Sequence, residues 1–153
     1  MTSEDTGPDL RWLRPGDAEK VVAATALFDL DVRREWAERF LAQPNHHLCV
    51  AYVDDVAAGF VSGVEITHPD KGTEMFLYEL GVDDPYRRRG IGRALVQALA
   101  RRALERGCYG MWVLTERTNG AARATYESAG ATDVSEHLVL GWRLDPTHPA
   151  HDL

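Results

Sequence analysis

What this 153-residue sequence lacks narrows it first. No apolar run approaches the roughly 20 residues of a membrane span, and the opening MTSEDTGPDL has neither the basic flank nor the apolar stretch of a secretory signal. A cytoplasmic protein with no membrane partner is expected. Cysteine is scarce. Cys49 stands in HLCVAYV and Cys108 just before YGMWVL, so reduced core thiols are expected in place of a disulfide, and neither suits a catalytic or metal-binding role. His46 and His47 have no cysteine, histidine or carboxylate at zinc-ligand spacing, and no metal is expected. Net positive charge is missing too: the formal balance of −7 argues against a nucleic-acid partner and mildly favours cationic ones. No repeat, low-complexity tract or linker divides the chain. Residues 1–153 therefore read as one domain, with its core at about 9–145 and polar ends.

Hydrophobic periodicity supplies the elements. LRWLR reads as a first strand, GDAEKVVAATALFD as a helix with Asp17 at its N-cap, and REWAERFLAQ as a second helix stopped by Pro44 and Asn45. HHLCVAYVDDVAAGFVSGVEITH gives two β-rich runs hinged at Asp54 and Asp55, and TEMFLYELGV continues the meander. Ile91, Leu95, Ala98, Leu99, Arg102 and Ala103 recur at helical spacing, with Gly107 as the stop. YGMWVLTE then reads as a buried strand, NGAARATYESAG as a helix closing at Gly130, and EHLVLGWRL as a last strand. The predicted fold class is α/β (α+β), a mixed sheet whose central pair is parallel because a helix connects its strands.

One stretch departs from ordinary helix chemistry. Arg87, Arg88 and Arg89 crowd the start of the helix, where unpaired N–H groups and the helix dipole repel cations and attract anions. Pro85 stiffens the turn, and Gly90 and Gly92 remove side chains that would keep a ligand from those N–H groups. An anion held there turns an unfavourable juxtaposition into paired charge. The Gly-Lys-Ser/Thr of a P-loop is absent. A dinucleotide fingerprint would need a third glycine where Leu95 stands.

Arg87-x-x-Gly90-x-Gly92, following LYELGV and Pro85, resembles the acyl-CoA pyrophosphate signature of the GNAT superfamily of N-acyltransferases, Gln/Arg-x-x-Gly-x-Gly/Ala. NGAARATYESAGA resembles that family's second signature, Asn-x-x-Ala-x-x-x-Tyr-x-x-x-Gly, and the two stand in the family's order, separated by a helix and a strand. The resemblance implies a mixed, mostly antiparallel sheet with a splayed central parallel pair and flanking helices. It also implies acetyl-CoA as cosubstrate. Backbone at Leu80, Gly81 and Val82 would hold the pantetheine arm. Arg87, Arg88, Arg89, Gly90, Ile91, Gly92, Arg93 and Ala94 would hold the pyrophosphate through amides and arginine side chains, with Asn119 near the pantetheine.

The same resemblance makes Tyr126 the proton donor to the departing CoA thiolate. A thiol with a pKa of about 8.5 is already a fair leaving group, so the effect is modest. A tyrosine on a helix also commonly packs its ring and bonds its hydroxyl locally. The acceptor amine must be neutral to attack, yet an alkylammonium of pKa about 10.4 is mostly protonated at neutral pH. Glu79 is the leading proton acceptor, with two other roles open: ligand to the substrate ammonium, or solvent-facing residue. His137 is an alternative base.

The acceptor is read less sharply. EMFLYELGVDDPYRRRGIGRALV followed by GCYGMWVLTERTNGAARATYESAGA is most similar to the aminoglycoside 3-N-acetyltransferase branch, with Tyr78-Glu79-Leu80-Gly81-Val82 in place of that branch's Tyr-Asp-Leu-Ala-Val. It implies a small-molecule amine substrate and a part in antibiotic resistance. Tyr78 and Glu79 would line the amine site, and Asp29, Asp31 and Glu35 are candidates for recognising its charge, with ordinary solvated charges as the plainer reading; the same two readings apply to Glu116 and Glu136. Acetyl transfer in a ternary complex competes with two other readings, a protein or peptide acetyltransferase and a catalytically silent acyl-CoA-binding module. Trp142 near the last strand would allow a homodimer through that edge.

Overall fold

The computed structural model describes residues 7–150. Strand β1 (Asp9–Trp12) leads into helix α1 (Ala18–Ala23), a 3-10 turn at Thr25–Leu27 and helix α2 (Arg34–Ala42). Strands β2 (His46–Val53), β3 (Val56–His68) and β4 (Gly72–Val82) follow. A 3-10 turn at Asp84–Tyr86, helix α3 (Ile91–Glu105), strand β5 (Met111–Val113) and helix α4 (Gly120–Ser128) complete the order. The sheet runs β1-β2-β3-β4-β5, antiparallel except for the parallel β4–β5 pair.

The predicted hinge forms a two-residue hairpin turn, with Asp54 and Asp55 both at positive φ (50° and 61°). That geometry follows the right-handed strand twist. The first predicted helix is shorter than its sequence pattern. It stops at Ala23, and the Thr25 hydroxyl accepts the Val32 N–H at 2.7 Å, closing a loop that carries Asp29. Asp17 stands at the N-cap position, but its carboxylate accepts from the upstream Arg14 N–H at 2.8 Å.

Two apolar layers sandwich the sheet. On one face, Ile91, Leu95, Val96, Leu99 and Ala103 of α3 pack on Cys49, Ala51, Val61, Met75 and Leu77. Gly63 makes this approach possible, since a Cβ there would lie 2.7 Å from Leu99 Cδ1 and 2.9 Å from Met75 Sδ. On the other face Ala18, Val21, Ala37 and Leu41 cover Leu48, Val50 and Phe60, and the Phe60 ring stacks on Phe28 at 4.1 Å. His47 is buried and structural: its Nε2 lies 2.6 Å from Glu65 Oε2, which also accepts from Arg106 Nε at 3.0 Å. Arg102 lays its guanidinium over the Trp12 ring, which explains a basic residue on the apolar face of α3.

Two expectations are corrected. The strand predicted over YGMWVLTE is reduced to Met111–Val113, because β4 turns away and leaves Leu114 onward with no strand partner among the described residues. The last strand predicted over EHLVLGWRL does not form. Among the described residues no regular structure follows α4, and residues 132–147 are all exposed. Their alternating pattern suits a strand, but this chain sets no sheet edge against them.

Candidate active site

The centre of the site is the place where β4 leaves β5. Their parallel register runs Met75 to Met111, Phe76 to Trp112 and Leu77 to Val113, then ends. On its other side β4 remains paired with β3 as far as Val82 opposite Gly59, so the stretch from Tyr78 to Val82 has a free edge toward β5. The divergence coincides with a bulge. Ser62 pairs with Glu79 and Gly63 with Leu77, so Tyr78 is the extra residue. A bulge bends the strand and re-aims the side chains beyond it.

The bulge distributes the candidate residues over two faces. Cross-strand partners share a face. Leu80, opposite buried Val61, therefore faces the α3 layer, and Leu80 and Val82 pack there together with Tyr126. Glu79 and Gly81, opposite Ser62 and Phe60, face the α1–α2 side. Glu79 and Tyr126 thus approach the opening from opposite sides of the sheet.

The arginine loop closes the α3 side. Arg88 takes a left-handed conformation (φ 64°), as does the helix N-cap Gly90 (φ 76°). No acceptor among the described residues takes the backbone N–H groups of residues 88–93, and the first helical bond is Ala94 N–H to the Gly90 carbonyl at 3.0 Å. Six consecutive donors are left available to an anion. Gly92 lies where α3 meets α4, and a Cβ there would come within 3.2 Å of Thr125 Cγ2. The arginines divide their work. Arg87 is tied down, donating from Nε to the Val82 carbonyl at 3.2 Å and pairing with Asp84 at 3.1 Å. Arg89 lies over the Tyr86 ring at 5.5 Å. Asn119 is the N-cap of α4, where its Oδ1 accepts the Ala122 N–H at 3.1 Å.

Tyr126 lines a groove of about 230 Å³ with Leu77, Val96, Met111, Val113 and Ala129. Burial raises its phenol pKa, with no charged or hydrogen-bonding neighbour contributing. The hydroxyl therefore holds its proton. Burial also raises the pKa of Glu79, and the Asp29 carboxylate raises it further by charge and by hydrogen bonding. The loop closed by Thr25 thus brings Asp29 to Glu79. Asp31 and Glu35 are exposed, and Glu35 is paired with Arg33 beside it. Tyr78 is 68% exposed and meets Phe76 edge to face; Phe76 in turn stacks on Trp112 at 4.3 Å. Sequence reasoning missed this aromatic pair, although its residues stand in EMFLY and MWV on strands already expected to be neighbours.

Glu136 pairs with Arg117 at 3.0 Å, and His137 lies on the exposed segment beyond α4 with its Nε2 2.8 Å from Ser135 Oγ. Cys49 and Cys108 are unpaired, and burial pushes the Cys49 thiol up to about 11, the wrong direction for a nucleophile. Among the described residues no group of three or more His, Cys, Asp or Glu is placed to hold a metal.

This arrangement has relatives. Residues 10–131 match the acetyltransferase (GNAT) family model. The [ribosomal protein bS18]-alanine N-acetyltransferase of Escherichia coli (strain K12) is 37% identical over 62 residues, 40% of this chain and 42% of that protein. A mycothiol acetyltransferase of Salinispora arenicola (strain CNS-205) is 34% identical over 116 residues, 72% of this chain and 36% of that protein. The matched stretches thus span about two fifths of the length of these curated relatives. Among solved structures, an aminoglycoside acetyltransferase from an uncultured soil metagenomic sample, in complex with trehalose, superposes with a TM-score of 0.84 at 21% identity, covering 92% of this chain and 99% of that one. The aminoglycoside N-acetyltransferase AAC(6')-Iy in complex with CoA gives 0.75 at 19% identity, covering 94% and 99%. These likenesses show a common fold, and the family match shows descent: the chain belongs to the acetyltransferase (GNAT) family.

Proposed function

We propose that the protein transfers the acetyl group of acetyl-CoA to a primary amine of a small polycation by direct attack in a ternary complex. The observation that carries this reading is the opening of β4 from β5 beyond Leu77 and Val113, with six unpaired amides at one end and Tyr126 and Glu79 on its two faces. The amides of residues 88–93, supplemented by Arg88 and Arg93, fit a pyrophosphate, and the free edge of β4 at Leu80 to Val82 fits an amide-bearing pantetheine arm. When bound, acetyl-CoA supplies the thioester carbonyl that the amine attacks.

The chain's own residues supply alignment and proton handling. Aligning two reactants is worth several kcal/mol. Glu79, whose pKa burial and Asp29 raise, accepts a proton from the ammonium, and Tyr126 Oη donates one to the departing thiolate. The two reach the reacting atoms from opposite faces, so one need not reverse the other's transfer. A cation fits the α1–α2 side, where Asp29 and Glu79 stand and where Phe76, Tyr78 and Trp112 offer aromatic faces. The aminoglycoside acetyltransferases of matching fold support a polycationic acceptor, and one carries a 6' designation in place of the 3-N position that the sequence resemblance suggested. We further propose a cytoplasmic setting and a contribution to antibiotic resistance.

The test is CoA release with acetyl-CoA and panels of aminoglycosides, polyamines and N-terminal peptides. Turnover on an aminoglycoside supports the proposal. Turnover on peptides alone would favour the alanine N-acetyltransferase relative as the guide to substrate. CoA binding with no turnover would leave a silent binding module. Three expectations accompany it. Tyr126→Phe should lower kcat about tenfold, less than the usual 10²–10⁴-fold of acid catalysis because a thiolate leaves readily, with the KM for acetyl-CoA little changed. Arg88→Ala should raise the KM for acetyl-CoA about tenfold with kcat retained, and the defect should shrink in high salt, as lost charge-assisted contacts do. Arg87→Ala should instead lower the midpoint of thermal unfolding, since its contacts are internal.

A further inference from the structure

One buried titratable cluster takes no part in the chemistry above. The His47 side chain is 5% exposed and that of its partner Glu65 8%, at the corner where β2, β3 and the end of α3 meet. The two ring nitrogens have different partners. Nε2 lies 2.6 Å from Glu65 Oε2, and Nδ1 lies 3.4 Å from Arg102 Nη1. A guanidinium has hydrogens to give and no lone pair to accept with, so Nδ1 is the acceptor. The single ring hydrogen then stands on Nε2 and is donated to Glu65. These contacts describe a neutral imidazole in one tautomer.

The surroundings hold that state. Arg102 is fixed against the ring, with its guanidinium 3.9 Å from the centroid of Trp12, and Trp12 meets His47 edge to face at 6.4 Å. Glu65 is shared with Arg106, which donates from Nε at 3.0 Å and from Nη2 to the Pro44 carbonyl at 3.4 Å. The charges facing the imidazole are therefore Glu65 from β3 and Arg102 and Arg106 from α3, two cations to one anion. From β1 comes only the uncharged Trp12 ring, and Cys49 on β2 and Cys108 beyond α3 are thiols that burial keeps protonated. Burial lowers the pKa of His47, the Glu65 bond offsets this only in part, and the charges of Arg102 and Arg106 lower it further. A proton on Nδ1 would set one N–H donor against another.

We propose that His47 is a proton-sensitive latch on α3: a proton taken up by the Nδ1 lone pair expels Arg102, and the C-terminal half of the helix loses its hold on β2, β3 and Pro44. The unfolded chain binds that proton at the ordinary histidine value of about 6.5, whereas the folded chain resists it. The stability that His47 contributes is therefore complete above that value and is lost as pH falls from it through the lowered folded-state value. The same helix begins at the amides of residues 88–93, so an open latch also loosens the anion cradle. That coupling alone rests on the acetyl-CoA reading given above.

Long-range ¹H–¹⁵N spectra of the histidine rings from about pH 8 to about pH 4, with hydrogen exchange over the same range, test the latch. At pH 8 the His47 ring, identified by its loss in His47→Gln, should show the neutral Nε2–H pattern. It should titrate below the ordinary histidine value, and the amides of residues 99–106 should lose protection along the same curve. Glutamine offers a donor and an acceptor but takes up no proton, so in His47→Gln that protection should not change with pH. Arg102→Met keeps His47 and an apolar chain on Trp12, and it should move the titration upward; if His47→Gln fails to fold, this variant decides. The dissociation constant of CoA should rise severalfold through the transition in the parent and stay flat in His47→Gln. A ring that is charged or carries its hydrogen on Nδ1 at pH 8 overturns the proposal. So does an unshifted titration in Arg102→Met, or a loss of protection that persists in His47→Gln, which would put the proton on Glu65. An opening that leaves CoA binding unchanged would overturn the coupling to the cradle. Failure to bind CoA at any pH would count against the acetyl-CoA reading, with the ring and exchange data still deciding the latch.

Discussion

Glu79→Gln is expected to lower kcat about 10²–10⁴-fold, the range removed with a positioned general base, while raising the thermal midpoint of the protein at pH 8. Both effects come from one arrangement. Burial and the neighbouring Asp29 carboxylate raise the pKa of Glu79, so the folded protein binds a proton more readily there than the unfolded chain does. For a carboxyl with a raised folded-state pKa, stability falls as pH rises from the ordinary carboxylate range through the raised value. Glutamine removes that penalty. The gain in midpoint should therefore be present at pH 8 and absent at pH 3, where Glu79 is protonated in both states. Catalysis has the opposite sign: kcat of the parent enzyme should rise with pH along a limb set by Glu79. Asp29→Asn should move that limb to lower pH, because it removes a charge that opposes ionisation. If Glu79 only grips the substrate ammonium, Glu79→Gln would raise the amine KM and leave kcat near the parent value; measuring both parameters separates the roles.

The pattern of a residue that costs stability and serves chemistry is visible in the sequence only in part. A carboxylate in the apolar run FLYELGV is conspicuous, and the arginine loop is legible because three cations at a helix start contradict local electrostatics. The hairpin at Asp54 and Asp55 and the buried face of α3 were legible for similar reasons, since turn chemistry and helical period are local properties. The bulge at Tyr78 was not. Alternation through Phe76, Tyr78, Leu80 and Val82 reads as one uninterrupted strand, and only pairing with Ser62 and Gly63 shows which residue is extra. The end of β5 was hidden likewise, because a strand stops where its neighbour departs. LVLGWRL carries every local mark of a strand, yet no edge of its own chain meets it; strand pattern states a capacity to pair and says nothing of the partner. Asn119 shows the converse. A residue matched to a ligand-binding signature caps the helix that carries Tyr126, so any cofactor contact it makes coexists with a structural one.

The two faces of the sheet divide the work. The α3 side is bound into a continuous apolar core and presents backbone donors at the end of a helix, suited to a large anion with a flexible arm. The α1–α2 side rests on a smaller cluster and a loop closed by the Thr25 hydroxyl, suited to a varied acceptor. Loops on a rigid scaffold are where acceptor specificity changes most readily. Substitutions in the 25–36 segment should therefore redirect acceptor choice with little effect on the KM for acetyl-CoA.

Phe60→Ala is expected to cost about 3–5 kcal/mol of stability, the range for removing a fully buried phenylalanine, which in a chain of this size lowers the thermal midpoint by about 6–20 °C. Phe60 is fully buried and stacks on Phe28. Its strand neighbour in β4 is Gly81, where a Cβ would lie 2.9 Å from the Phe60 ring and 3.0 Å from the Leu27 carbonyl. That ring fixes Leu27 and Phe28 against β4, and Asp29 is the next residue. Its loss should release Asp29 from Glu79, so the acidic limb of kcat should shift to lower pH as it does in Asp29→Asn. A double-mutant cycle separates this coupling from general loosening. Gly81→Ala clashes with the ring in the parent protein and should be destabilising there, but in the Phe60→Ala background the methyl enters the vacated space and should cost less. Additive losses at the two positions, or an unshifted pH limb, would show that Phe60 supports the sheet without setting the Asp29–Glu79 pair.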